Sequence, residues 1–451
     1  MTASRDSLTD PLDRLGGLIA RARAMGADAA DAVLFDSRSL SIAWRLGHSE
    51  GIERAESRDL GLRVIVGQRQ AIVSSTDLSD AALDELAERA VAMAKTVPDD
   101  PHCGLADPDC LATEFPDLDL ADDTEPDPAQ LAQLASACED AARAVKGINN
   151  SGGAEADWSR SEIALAGSNG FAGSYAASRS SVGVSVLAGE GTAMERDYDY
   201  AVARHLTDLE DAATIGTRAG QRTVARLKPQ KMATGKRAIV YDPRVANGLL
   251  RHFSNAISGA AIARGTSFLK DRLGERVFAL GLSVREDPLR RRGLSSRPFD
   301  GEGVATVARE LIADGVLTTW LLDSRSARQL GLETTGHASR GTASAPSPGA
   351  TNLTLDPGSQ TPKALIGEID DGFYVTELIG MGVNGVTGDY SRGASGLAIV
   401  KGELAHAVSE VTIAGNLTDM FAAITPANDL ELRYGTDAPT LRVDGMTVAG
   451  R

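Results

Sequence analysis

The chain has 451 residues, 42% of them hydrophobic, which is enough for two or three domains and too apolar for disorder. A net charge of −16 argues against nucleic acid as a partner, because phosphate backbones need clustered Lys and Arg. Three cysteines without a C-x-x-C pair argue against a disulfide framework and a thiolate zinc site.

Residues 8–25 carry Leu12, Leu15, Leu18, Ile19 and Ala22 at helical spacing, with Gly26 as a C-terminal cap. The stretch 31–45 alternates Val33, Phe35, Leu40, Ile42 and Trp44 and reads as a strand. Two further strands are expected at 52–57 and 60–66. A helix is expected over 79–95, with Ser79 as its cap. Residues 97–128 hold six prolines and many aspartates and read as an exposed connector. A helix over 129–145 follows, then long Gly- and Ser-rich strands at 153–166, 170–188 and 193–202. The next expected helix, 209–227, ends at Lys228-Pro229.

The second half opens with a strand at 235–241. Asp242-Pro243 then starts a helix whose apolar face holds Val245, Leu249, Leu250, Phe253 and Ile257. From residue 276 onward, short β segments are separated by glycines, and 334–361 reads as a loop. The basic run Arg290, Arg291 and Arg292, near Arg285, reads as a solvated loop. The 47 glycines imply many turns and hence much β structure. The order of elements gives an α+β class. It comprises an N-terminal unit, 1–228, with long antiparallel strands, and a β-rich C-terminal domain, 236–451, with one leading helix. The N-terminal text MTASRDSLTDPLDRL has no apolar signal core, and no run is long enough to span a bilayer. A reduced, cytoplasmic protein is expected.

Several chemistries lack their motif. Gly380 to Gly385 spells G-M-G-V-N-G after an expected strand, but VTGDYSRGASG cannot open the helix that a dinucleotide site needs. Ser395 lacks the second glycine of a nucleophile elbow. The six histidines show no ligand pair on one element.

The segments ARGTSFLKDRLG (263–274), GMGVNGVTGDYSRGASG (380–396) and VSEVTIAGNLTDMF (408–421) resemble the TldD/PmbA family. RDLGLRVIVGQRQAIVSST (58–76) extends the likeness across nearly the whole chain. GDYSRGASG is similar to the TldE branch in particular. The resemblance implies a subunit of a heterodimeric zinc metallopeptidase acting on unfolded peptides. Its TldD-like partner carries zinc on an H-E-x-x-x-H helix. The corresponding text here, Leu250 to Ala256, offers His252 alone. No catalytic or metal residue is therefore expected in this chain, and no cofactor. It would serve as chamber wall, substrate guide and assembly partner, with a homodimer open to the isolated chain. The alternative is a non-enzymatic binding protein that modulates another enzyme.

The loop holding Asn384, Gly388, Asp389, Tyr390, Ser391 and Arg392 is the expected substrate or interface element. Its glycines permit close approach of an added peptide strand. Arg392 could fork onto a carboxylate, or pair with Asp389 or Glu403 to brace the turn. Tyr390 could be a packing anchor or a catalytic hydroxyl.

Overall fold

The computed structural model describes residues 10–450. Leu15, Leu18, Ile19 and Ala22 form the buried stripe of α1 (Pro11–Ala24), which Asp10 caps by accepting from the Leu12 amide. The helix expected from residue 8 thus starts at Pro11, and residues 8 and 9 lie outside the described residues.

The first sheet contains β1 (Ala29–Arg45), β2 (His48–Val66), β3 (Arg69–Ser75), β4 (Ile148–Gly167), β5 (Ala172–Ala188) and β6 (Glu195–Ala203). Its order is β3-β2-β1-β4-β5-β6, and every pairing is antiparallel. The two strands expected at 52–57 and 60–66 are one strand. Ser57, Arg58 and Asp59 contain no Gly or Pro, so nothing breaks the ladder to β1 there. Residues 48–58 of β2 are exposed, so no apolar alternation marked their continuity.

Helices α1 and α2 (Asp80–Ala94) cover one end of this sheet, packing on Ala30, Ala32, Leu34 and Leu62. Helices α3 (Pro128–Ala144) and α4 (Ala212–Ala225) cover the other end, on Leu40, Ile42, Trp158 and Val184. All these β1 positions are even-numbered, so both helix pairs share one face. A Cβ at Gly216 of α4 would lie 2.0 Å from the Cys138 carbonyl of α3, so glycine is what lets these two helices touch.

The C-terminal half folds around a closed set of strands. β7 (Gly235–Tyr241) pairs parallel with β14 (Asp371–Ile379) and antiparallel with β19 (Leu441–Ala449). β14 continues to β15 (Asp389–Val400) and β16 (Glu403–Asn416), and β16 pairs back onto β19. Five strands therefore close into a barrel, with β17 (Ile424–Pro426) added at β19. These strands are longer than the short β segments expected after residue 276. Helix α5 (Pro243–Ala256) plugs the core, and its Phe253 meets Phe278 and Phe421 edge-on. A second small sheet joins β8 (Val284–Glu286), β9 (Arg309–Ala313), β10 (Val316–Leu317), β13 (Leu353–Leu355) and β18 (Thr436–Asp437). A short ribbon, β11 (Ala338–Ser339) with β12 (Ser347–Pro348), and the small helices α6 (Gly259–Ala263), α7 (Ser324–Leu330), α8 (Pro362–Gly367) and α9 (Leu417–Ala422) fill the remainder. Among the described residues, no helix is long and apolar enough to cross a membrane.

The halves meet on the odd-numbered face of β1. Val33 and Phe35 pack there with Phe171 and Phe299, so the middle of β1 is covered on both sides. Asp31 lies on this same face, opposite Arg63 of β2. Its carboxylate receives Arg63 Nη2 at 2.5 Å and lies 2.7 Å from Nη1 of Arg340, which follows β11. All three side chains are at most 6% exposed. Burial alone would raise the Asp31 carboxyl, but the Arg340 and Arg63 guanidiniums hold it below its ordinary value. Glu302 stands 3.9 Å from Arg63 and accepts from the Ser324 amide. Burial pushes Glu302 up to about 7 against the pull of Arg63, and repulsion from Asp300 adds to the rise.

Two sequence expectations are corrected here. The 97–128 stretch is not a free connector but a strap, with Ala106, Ala112, Leu118 and Leu120 buried. Asp100 takes Arg325 at 2.7 Å, the Leu105 carbonyl takes Arg328, and the Ala112 amide donates to Gly303. Its prolines limit regular structure to one 3-10 turn, Pro108–Cys110, but do not prevent docking. Nor is the basic run a purely solvated loop. Arg291 and Arg292 both bind Asp119 of the strap, and Arg292 also binds Asp208.

Asp31→Ala should lower the unfolding free energy by about 3–5 kcal/mol, because it strands two buried guanidiniums. Urea titration at pH 7 measures this, and a loss below about 1 kcal/mol would contradict the assignment. Glu302 binds its proton more tightly folded than unfolded, so its favourable contribution is full below about pH 4.5 and lost by about pH 7. Glu302→Gln should therefore match the parent near pH 5 and exceed it by about 1–3 kcal/mol at pH 8. Equal stability of the two at pH 8 would show that the carboxyl is ordinary.

Candidate functional site

The glycine-rich text 380–388 is the loop of a β14–β15 hairpin. Asn384 folds it locally: its side chain accepts from the Val386 and Thr387 amides, and its own amide donates to the Asp389 carbonyl. Gly388 sits at φ +80°, where a side chain would be strained. Room at Gly382 and Gly396 is taken by the hairpin itself. A Cβ there would lie 2.0 Å from the Ser391 carbonyl or 1.9 Å from the Tyr374 carbonyl. These two glycines therefore serve the chain's own backbone crossing rather than an incoming strand.

Asn384, Asp389 and Ser391 are exposed, Gly388 and Tyr390 are buried, and Arg392 is half-buried. Thr387 Oγ1 and Asn416 Nδ2 donate to the Asp389 carboxylate and hold it below its ordinary value. Arg392 pairs with neither Asp389 nor Glu403, so of the two alternatives read from the sequence the bracing pair is not formed. Its Nε instead donates to the Ile379 carbonyl across the hairpin, at 3.4 Å.

Beneath the hairpin lies α5. His252 projects from it onto the Tyr390 ring, with centroids 6.0 Å apart and planes at 76°. Burial, and then the Arg392 cation, lower the imidazole below its ordinary value. The neutral ring therefore packs against an aromatic wall with a guanidinium nearby. The Tyr390 hydroxyl is pushed up to about 12 by burial, so it is a poor proton carrier near neutrality. The flanking positions on α5 are Leu250, Arg251, Phe253, Ser254, Asn255 and Ala256. Zinc takes three or four protein ligands from imidazole, thiolate and carboxylate groups. This helix supplies one imidazole beside a cation, so the donor set does not fit zinc. Among the described residues, no three His, Cys, Asp or Glu side chains group to hold a metal ion.

The sequence reading passed over the apolar side chains at this loop. Met381 is 92% exposed, Ile379 58% and Val386 55%. Large apolar residues between glycines in an expected turn were the available signal, since turn composition by itself favours polar residues. The hairpin thus presents an apolar tip, with polar Asn384, Asp389 and Ser391 beside it.

The chain as a whole has relatives among known proteins. Models of the PmbA/TldA metallopeptidase domains match the chain in three stretches. Domain 1 covers residues 30–94, the central domain 121–227 and the C-terminal domain 234–450. Escherichia coli O157:H7 metalloprotease PmbA is 37% identical over 426 residues, covering 94% of this chain and 93% of that protein. A Haemophilus influenzae metalloprotease PmbA homolog is 38% identical over 416 residues, covering 91% of this chain and 90% of its own length. A crystal structure from Bacteroides thetaiotaomicron, described as a modulator of DNA gyrase, superposes with a TM-score of 0.91 at 26% identity. That match covers 98% of this chain and 100% of the other.

Removing the guanidinium should free the imidazole. Arg392→Ala is expected to raise the His252 pKa, read from its ring protons by NMR titration, while stability changes by no more than about 0.5 kcal/mol. An unchanged His252 titration would show that the two groups do not face each other.

Proposed function

Because the chain belongs to the PmbA/TldA metallopeptidase family, we propose that it is the metal-free, TldE-like subunit of a cytosolic two-chain peptidase acting on unfolded peptides. The reading rests on one observation. The helix position where the family resemblance puts an H-E-x-x-x-H motif holds a single neutral histidine, packed on Tyr390 beside the Arg392 cation. Hydrolysis by a zinc-bound water needs a ligand set that α5 lacks. Zinc and water activation are therefore assigned to a TldD-like partner, and no step of bond cleavage to this chain.

The apolar tip gives the chain something to do in such a pair. Exposed Met381 and Val386 on a conformationally fixed hairpin suit docking to a partner or shaping a shared peptide channel. A substrate guide of this kind acts through backbone and apolar contact, which would take peptides with little sequence choice.

Co-expression with a chain bearing H-E-x-x-x-H should give a mixed complex on size exclusion that cleaves unfolded peptides and loses activity on chelation. The isolated chain should be inactive and hold no stoichiometric zinc. The double variant Met381→Asp, Val386→Asp should weaken assembly or cleavage at least tenfold without changing the melting temperature. Peptide cleavage by the isolated chain, with one tightly bound metal per chain, would overturn the proposal.

A further inference from the structure

A cavity of about 180 Å³, with no hairpin residue in its lining, lies between the odd-numbered face of the first sheet and the C-terminal half. Phe35, Ile163, Tyr175 and Phe299 form its apolar side, and Arg297 and Arg340 are also among its lining residues. The donors of these two arginines are only partly used. Arg297 Nη1 donates to the Ala338 carbonyl at 2.8 Å, but its Nε and Nη2 are buried without a partner. The Arg340 side chain is 1% exposed. Its Nη1 lies 2.7 Å from Asp31, and none of its nitrogens makes an aligned hydrogen bond.

Buried N–H groups without acceptors are costly, most of all on a charged group. The nearby acids meet this need only in part: Asp31 stands against Nη1 of Arg340 and leaves its Nε and Nη2 without an acceptor. Asp31 is engaged with Arg63 through both oxygens. Asp300, in the cavity wall, already accepts from the Glu302, Val304 and Ala338 amides. Burial pulls the Arg340 guanidinium below its ordinary value despite Asp31, the direction expected of an under-compensated cation.

A guanidinium presents N–H groups in a planar fork that matches a carboxylate. The opposite wall of two rings, an isoleucine and a phenol matches an apolar body. A cavity of about 150 Å³ holds benzene, so this one is the size of a single apolar residue. We propose that it binds a carboxylate carried on one apolar, residue-sized group. Either the C-terminal residue of a peptide or a free apolar acid supplies that chemistry. The site belongs to this chain alone and does not rest on the subunit role proposed above.

Calorimetric titration of the full chain at pH 7.5 tests it with four probes: N-acetyl-L-phenylalanine, its amide, 3-phenylpropanoate and acetate. The two aromatic acids should bind at one site per chain, with the amide and acetate at least tenfold weaker. Tighter binding of the acetylated residue would identify a peptide terminus, and tighter binding of phenylpropanoate a free acid. Arg297→Gln should weaken both acids at least tenfold. Ile163→Phe, which fills the cavity and leaves both arginines in place, should abolish binding with an unchanged circular dichroism spectrum. The proposal is overturned if the amide binds as well as the acid, if neither acid binds saturably and the cavity holds water only, or if Ile163→Phe binds like the parent.

Discussion

The buried ion cluster around Asp31 is the constraint on which the architecture turns. It sits at the crossing of two demands on β1, whose even-numbered side chains lie under helices and whose odd-numbered ones meet the C-terminal half. A one-residue slip between β1 and β2 would take Asp31 off Arg63 and turn it under α1. Ion pairs of this kind add little net stability compared with apolar packing, but breaking one is costly. The cluster therefore penalises wrong registers and wrong dockings, because only the native arrangement neutralises Asp31 with Arg63 and Arg340 together.

With that face committed, the other features follow by coverage. The strap from 97 to 128 crosses the junction and is held by arginines of the C-terminal half at Asp100 and Asp119. The aromatic group of Phe115, Phe171, Phe299 and Tyr175 fills the space beside it. Closure of the barrel through the β16–β19 pairing then fixes the β14–β15 hairpin above α5. A histidine that would otherwise be an unremarkable helix residue is thereby placed against Tyr390 and near Arg392. The same docking of sheet on C-terminal half leaves the arginine-lined cavity, since two guanidiniums crowd an interface with too few free acceptors.

Local chemistry and long-range chemistry separate clearly in this chain. The sequence by itself determined the α+β class, most helices and their caps, and the strands with apolar alternation. These depend on spacing of 2 or 3.6 residues and on Asp, Ser, Pro and Gly at element ends, which neighbours along the chain decide. It also determined that α5 carries one imidazole and no second ligand, because a helix places ligands by sequence interval. Tertiary structure decided what depends on partners far apart in sequence: the continuity of β2, whose exposed half has no apolar pattern, and the conversion of a proline-rich connector into a docked strap. It decided that Arg392 reaches a backbone carbonyl rather than Asp389 or Glu403, because the hairpin register sets its direction. It decided, too, that Arg297 and Arg340 line one cavity. Lone arginines in Gly- and Ser-rich loops carry no periodic signal, and only the burial of their charge against a distant sheet gives them a role.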